Sequence, residues 1–274
     1  MNETLTRALS GFLYVSLLVA SLLNQHAFIV LFFVFGFICL MEFCKLIQLK
    51  SIFPYIIFTV LYFIFGYWQL VMSSDKGLDE TTQILQVITL FVQLLLIKDL
   101  FSEKTIPLFS SKRFIITTFY LSSGFVFLVL IANHNGQFTP VYILGSFILV
   151  WVNDTFAYLV GKNFGKQKLF PSISPKKTVE GFLGGLFFAC IASYFIYIFT
   201  DHTLTFTHWL ILSVIISVFG TLGDLIESKF KRQAKVKDSG VIMPGHGGLM
   251  DRFDSMIFAA PFIYLFLRIL NYVS

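Results

Sequence analysis

Residues 208–271 read HWLILSVIISVFGTLGDLIESKFKRQAKVKDSGVIMPGHGGLMDRFDSMIFAAPFIYLFLRILN. Two apolar runs, 208–224 and 253–271, each approach the roughly 20 residues that an α-helix needs to cross a hydrocarbon core. Between them lies a polar island, Ser228 to Asp254. It carries six basic residues (Lys229, Lys231, Arg232, Lys235, Lys237, Arg252) and three carboxylates (Asp238, Asp251, Asp254) around the tight sequence Pro244, Gly245, His246, Gly247, Gly248. The pattern predicts two membrane helices joined by a charged, glycine-rich loop.

The rest of the chain has the same alternation. Of its 274 residues 57% are hydrophobic and 13% charged, outside the range of soluble globular proteins. Apolar runs fall at 8–23, 27–47, 52–72, 83–97, 114–132, 141–161, 179–199, 208–224 and 253–271. The expected fold class is therefore all-α: a polytopic integral membrane helical bundle of about nine transmembrane helices, with eight or ten also compatible. Nothing marks a linker, a soluble domain or an internal repeat, so 1–274 reads as a single transmembrane domain, with N-terminal helices over 1–135 and catalytic helices and loops over 136–274. The first apolar run has no convincing small-residue cleavage site and is expected to be retained. Cys39, Cys44 and Cys190 all fall inside apolar runs without metal-site spacing and read as filler.

Positive charge supplies an independent check, because loops rich in Lys and Arg stay in the cytoplasm. With nine spans and a cytoplasmic N-terminus, one side receives Arg7, the lysines and arginines of the loops near 45–50, 98–113 and 162–177, and the whole island. The other side receives only Lys76 and Arg268. The net charge of +5 is then concentrated on one face, which would meet the anionic inner leaflet and anionic cytosolic substrates. No nucleic-acid-binding motif accompanies it, and nucleic acid is not an expected partner.

Helical spacing places Asp224, Glu227 and Ser228 on one face of the penultimate span, while Asp251 and Asp254 open the last one. Two acidic clusters at the cytoplasmic end of the membrane suit a Mg²⁺ ion held by Asp224, Asp251 and Asp254, with a second cation left open. Pairing with nearby Lys and Arg is the plainer alternative. A second basic element, Ser174-Pro-Lys-Lys-Thr178, precedes the seventh span. Ser174 is expected to cap a helix starting at Pro175, which would set Lys176, Lys177 and Thr178 in its anion-attracting first turn. Asp154, inside the sixth span, costs enough there to suggest a cation site or polar pocket. Glu42, close to Lys45, reads as a structural residue snorkelling to the surface. His246 stays unassigned among acid, phosphate-orienting, metal-ligating and loop-shaping roles. Lys and Arg for phosphate oxygens, glycines for close backbone approach and carboxylates for a hard cation together point to nucleotide or pyrophosphate chemistry.

The island resembles the signature of the phosphatidate cytidylyltransferases, also called CDP-diacylglycerol synthases. Ser228, Phe230, Lys231, Arg232, Lys237, Asp238, Gly240, Pro244, His246, Gly247, Gly248, Leu249, Asp251, Arg252, Phe253 and Asp254 fill it, with Met243 where Leu, Ile or Phe is usual. Asp154 to Gly161 and the SPKKT-x-EG segment are also similar to that family, with Val179 in place of a common aromatic and Lys162 in place of Arg. The resemblance implies attack of the phosphatidate phosphate on the α-phosphorus of CTP, giving CDP-diacylglycerol and pyrophosphate. It implies catalytic roles for Asp224, Asp251, Asp254, Lys237 and Arg252. It places substrate contacts at Asp154, Ser174, Lys176, Lys177, Thr178, Ser228, Lys231, Arg232, His246, Gly247 and Gly248. A homodimer is also implied; separately, the single-domain form suggests a bacterial inner membrane, and the charge pattern an active site at its cytoplasmic face. A kinase or cytidylyltransferase acting on another lipid, and a cation-coupled anion transporter, are the competing classes; the transporter should show inverted repeats and broken helices near the midplane, neither of which is clear in the sequence.

Overall fold

Each of these apolar runs lies largely in helical backbone in a computed structural model, which describes residues 3–72, 76–102, 104–133, 137–200, 203–245 and 247–273. The elements are α1 (Glu3–Ser21), α2 (Gln25–Leu46), α3 (Phe53–Leu61) continuing as a π-helical segment (Tyr62–Met72), α4 (Lys76–Phe101), and α5 (Ser110–Ile116). A second π-helical segment (Thr117–Ser122) leads to α6 (Ser123–Ala132), then α7 (Pro140–Phe164), strands β1 (Lys168–Phe170) and β2 (Ser174–Thr178), α8 (Val179–Phe199), α9 (Phe206–Gln233) and α10 (Asp254–Val273). The protein is a polytopic helical membrane protein. Among the described residues, six helical stretches are long and apolar enough to span a membrane: Gln25–Leu46, Asp79–Phe101, Ser110–Ala132, Pro140–Phe164, Val179–Phe199 and Phe206–Gln233; Thr6–Ser21 and Phe53–Trp68 are shorter apolar helices.

Two departures from the sequence reading have local causes. The fourth apolar run, 83–97, is short and opens on polar residues, yet α4 is continuous over Lys76–Phe101. Its polar residues Thr82, Gln86, Thr89 and Gln93 are buried. Gln86 Nε2 donates to the Pro261 carbonyl and Thr89 Oγ1 to Ser123 Oγ, so helix neighbours satisfy these two where lipid cannot, while the Gln93 amide is buried without a hydrogen-bond partner among the described residues. The helix α9 runs past its apolar stretch to Gln233, because the buried Glu227–Lys231 pair at i,i+4 supports another two turns.

The core that positions the site is aromatic. Phe253, fully buried at the head of α10, meets the rings of Tyr14 (α1), Phe32 and Phe35 (α2), Phe125 (α6) and Phe147 (α7) at 5.5–5.9 Å between centroids. Such edge and tilted contacts each add about 1 kcal/mol beyond burial. They fix the residues on either side, Arg252 and Asp254, against both halves of the bundle. On the other flank α7, α8, α9 and α10 pack in sequence order. Gly181 and Gly185 let α8 approach α7 closely: a Cβ at either would come within 2.7 Å of a backbone carbonyl oxygen, that of Ala157 or Asn153.

Candidate active site

The helices α7, α8 and α9, the β-hairpin and the head of α10 enclose a cavity of about 790 Å³. Its lining joins Asp154 and Tyr158 of α7, Ser174, Lys176, Lys177 and Thr178 of β2, Thr221 and Asp224 of α9, and Asp251, Arg252 and Asp254 before and at α10. Segments separated in the chain thus contribute a basic wall and an acidic wall to one space.

The basic wall corrects an expectation. Ser174 to Thr178 is a strand, paired antiparallel with β1 in the register Lys168↔Thr178 and Phe170↔Ser174. Ser174 therefore caps no helix. Thr178, extended at φ −126°, ψ 155°, caps α8 instead, its Oγ1 accepting from the Gly181 amide at 3.1 Å. Pro175 disfavours helical backbone at Ser174. Glu180, in the first turn of α8, accepts from the backbone amides of Lys166 (2.9 Å) and Gln167 (3.1 Å) and so ties the hairpin down. Lys176 and Lys177 consequently stand on a strand that fronts the cavity, and not in a helical turn.

Asp224 is the hinge between the walls. Lys177 Nζ lies 2.5 Å from its Oδ2, and Ser228 Oγ donates to its Oδ1 at 3.2 Å. Asp254 accepts from the Ser255 amide through Oδ1. Asp154, Asp224 and Asp254 are close enough to repel one another electrostatically, a donor set that a divalent cation would neutralise. Among the described residues no three His, Cys, Asp or Glu side chains converge as a ready-made metal cluster.

Asp251 is fully engaged by the protein. Oδ1 accepts from Lys231 Nζ (2.7 Å); Oδ2 accepts from the Ser239 amide (3.0 Å), Ser239 Oγ (3.1 Å) and the Gly248 amide (2.8 Å). Burial pushes its carboxyl upward, but Lys231 and these amides outweigh burial and hold it below the usual carboxylate range. The loop it organises turns at Pro244-Gly245, with Gly245 at φ +76° and Gly247 at φ +86°, and closes through Met243 N donating to the Gly247 carbonyl at 2.9 Å. Left-handed backbone at both positions explains why the sequence places glycine there.

Several expected contact residues lie elsewhere. Lys231 is not on the cavity wall: its ammonium is held between Glu227 Oε2 (2.6 Å) and Asp251. Arg232 turns away, donating to the carbonyls of Ile173 (3.3 Å) and Val236 (3.2 Å) beside a separate, smaller pocket. Ser228 reaches the site through Asp224. Lys237 is exposed on the loop. Gly247 and Gly248 shape the loop below the cavity, and His246 lies outside the described residues. The sequence reading missed Glu42. It does not snorkel: it is 4% exposed and accepts from the amides of Leu249 (3.2 Å) and Met250 (2.9 Å). A carboxylate inside an apolar run was the available signal.

Comparison with known proteins shows the family of the chain. The profile of the Cytidylyltransferase family matches residues 5–270. A phosphatidate cytidylyltransferase of Bacillus subtilis (strain 168) is 35% identical over 273 residues, 98% of each chain. Phosphatidate cytidylyltransferases of Staphylococcus saprophyticus and Staphylococcus aureus (strain COL) are 52% and 53% identical over stretches covering 46% of this chain and 48% of each of those proteins. The chain belongs to the cytidylyltransferase family of enzymes, alongside the phosphatidate cytidylyltransferases that it resembles.

Proposed function

We propose that this enzyme transfers the cytidylyl group of CTP to phosphatidate. A phosphate oxygen of the lipid bonds to the α-phosphorus, the bond from that phosphorus to the bridging oxygen of the β-phosphate breaks, and pyrophosphate leaves. The observation that carries the reading is the cavity lined by Lys176, Lys177 and Arg252 together with Asp154, inside a membrane helix, and with Asp224 and Asp254. There a soluble triphosphate and a lipid headgroup can meet.

The nucleophile is already anionic near neutral pH, so the chain's work is positioning and charge neutralisation more than proton removal. Lys176, Lys177 and Arg252 would take the phosphate oxygens, and Ser174 and Thr178 sit on the same wall. Mg²⁺ fits the acidic wall, and when bound it would neutralise phosphate charge. Of the three expected ligands, Asp251 is held by four protein donors, one on Oδ1 and three on Oδ2. Among the described residues Asp224 meets only the Lys177 ammonium and the Ser228 hydroxyl, and Asp254 the Ser255 amide, so these two are the favoured ligands, with Asp154 nearby. The cytoplasmic orientation, the bacterial inner membrane and a homodimer belong to this proposal as well; the charge asymmetry between loops supports the first.

The test is pyrophosphate release by purified protein in detergent with Mg²⁺, phosphatidate and each of four nucleoside triphosphates in turn. Release with CTP that depends on phosphatidate supports the reading. Intact protein that releases none refutes it.

A further inference from the structure

We infer that Glu42, far from the catalytic segments in sequence, is the positioning residue for the loop that delivers Asp251, Arg252 and Asp254 to the cavity. Its carboxylate, on α2, is buried in an apolar bundle, where an uncompensated charge is costly. The compensation comes from the loop. Oε1 accepts from the Leu249 amide, and Oε2 accepts from the Met250 amide and, at 3.3 Å, from Ser239 Oγ. Leu249 and Met250 begin the 3₁₀ turn Met250–Arg252, whose free amides have no partners within the turn. Glu42 therefore caps the turn that carries Asp251 and Arg252.

Two glycines make room for it. A Cβ at Gly240 would collide with Oε1, and one at Gly248 would lie 2.7 Å from Oε2. The small residues of the loop are thus shaped around a side chain from the other half of the chain. Ser239 joins the two anchors, its hydroxyl reaching Glu42 Oε2 and Asp251 Oδ2. The first helix adds a further tie, Ser10 Oγ donating to the Pro244 carbonyl at 3.0 Å. Glu42 lines no part of the cavity and touches no residue placed on substrate except through the loop.

The inference rests on the proposed reaction for its kinetic arm only. Glu42→Ala, Glu42→Gln and, as a control for loss of a buried polar contact elsewhere, Gln86→Ala are compared with the wild type. Glu42→Ala should lower kcat about 10- to 100-fold, as loss of an orienting outer partner does. KM for CTP should rise less than kcat falls, because Lys176 and Lys177 stand on β2 and only Arg252, of the phosphate-binding groups, is carried by the loop. Glu42→Gln, which keeps one acceptor, should fall between, and Gln86→Ala should keep its kcat. Amide exchange without substrate should show Leu249 and Met250 exposed in Glu42→Ala while α7 to α9 stay protected. Turnover within about twofold of wild type, unchanged exchange at these amides, or an equal kcat loss in a Gln86→Ala protein of equal melting temperature would overturn the inference. If Glu42→Ala does not fold, Glu42→Gln is judged by the same criteria. If the wild type is inactive with CTP and phosphatidate, the proposed reaction fails, and amide exchange alone decides the role of Glu42.

Discussion

Lys177 of the hairpin and Asp224 of α9 form an ion pair at 2.5 Å across the cavity, joining the basic and acidic walls. Both side chains keep more than a quarter of their exposure, and pairs that wet contribute little to stability, about 0–1 kcal/mol. Lys177→Ala should therefore leave the melting temperature in detergent nearly unchanged while lowering kcat/KM for CTP on the order of tenfold or more. Equal losses in both would mean that the pair is structural.

Asp224→Asn and Asp254→Asn remove the favoured cation ligands. Each should lower Mg²⁺-dependent turnover on the order of a thousandfold in folded, inserted protein. Each should also weaken Mg²⁺ protection against thermal unfolding, read without substrate. Near-normal turnover in both variants would remove the acidic wall from the chemistry.

Lys231→Ala should act on the fold first. Its ammonium neutralises Glu227, which is fully buried, and Asp251. Removing one partner of a buried ionic group costs about 3–5 kcal/mol because the remaining charge is stranded. A large fall in melting temperature is expected; Lys176→Ala, on an exposed strand residue, should instead raise KM for CTP with no such fall. A stable Lys231→Ala protein with raised KM would return Lys231 to the substrate site.

Asp251 sets the acid limit of the loop. Its carboxyl is held below the usual range when folded, so its stabilising contribution is complete above the unfolded value of about 3.9 and is lost as pH falls below that. Protection of the Ser239 and Gly248 amides, corrected for intrinsic exchange, should stay level from pH 7 to about pH 4 and decline only beyond. Loss between pH 6 and 5 would contradict the bonding described.

The helices were legible in the sequence because an apolar run long enough to cross a bilayer has few other uses. Asp154, Asp224, Asp251 and Asp254 could be picked out because a carboxylate in or beside a membrane helix is costly, and Lys176, Lys177 and Arg252 because basic residues among turn and glycine-rich sequence suit phosphate; all line one cavity. What the sequence concealed depended on distant partners. Ser174 and Thr178 have equal capping chemistry, and the choice between them was made by β1 and by Glu180 reaching Lys166 and Gln167. Lys231 and Lys176 look alike as basic residues, yet buried carboxylates claim one and the cavity the other. Glu42 looked like a surface-seeking side chain beside Lys45 because its donors lie in a loop from the opposite half of the chain.

The central claim is cytidylyl transfer to a lipid phosphate, and label position tests it most directly. Purified protein is given Mg²⁺ and phosphatidate with CTP labelled at either the α- or the γ-phosphorus, and the extracted lipid is counted. Label from the α position and none from the γ position should enter the lipid. Label from the γ position would make the enzyme a lipid kinase and contradict the account.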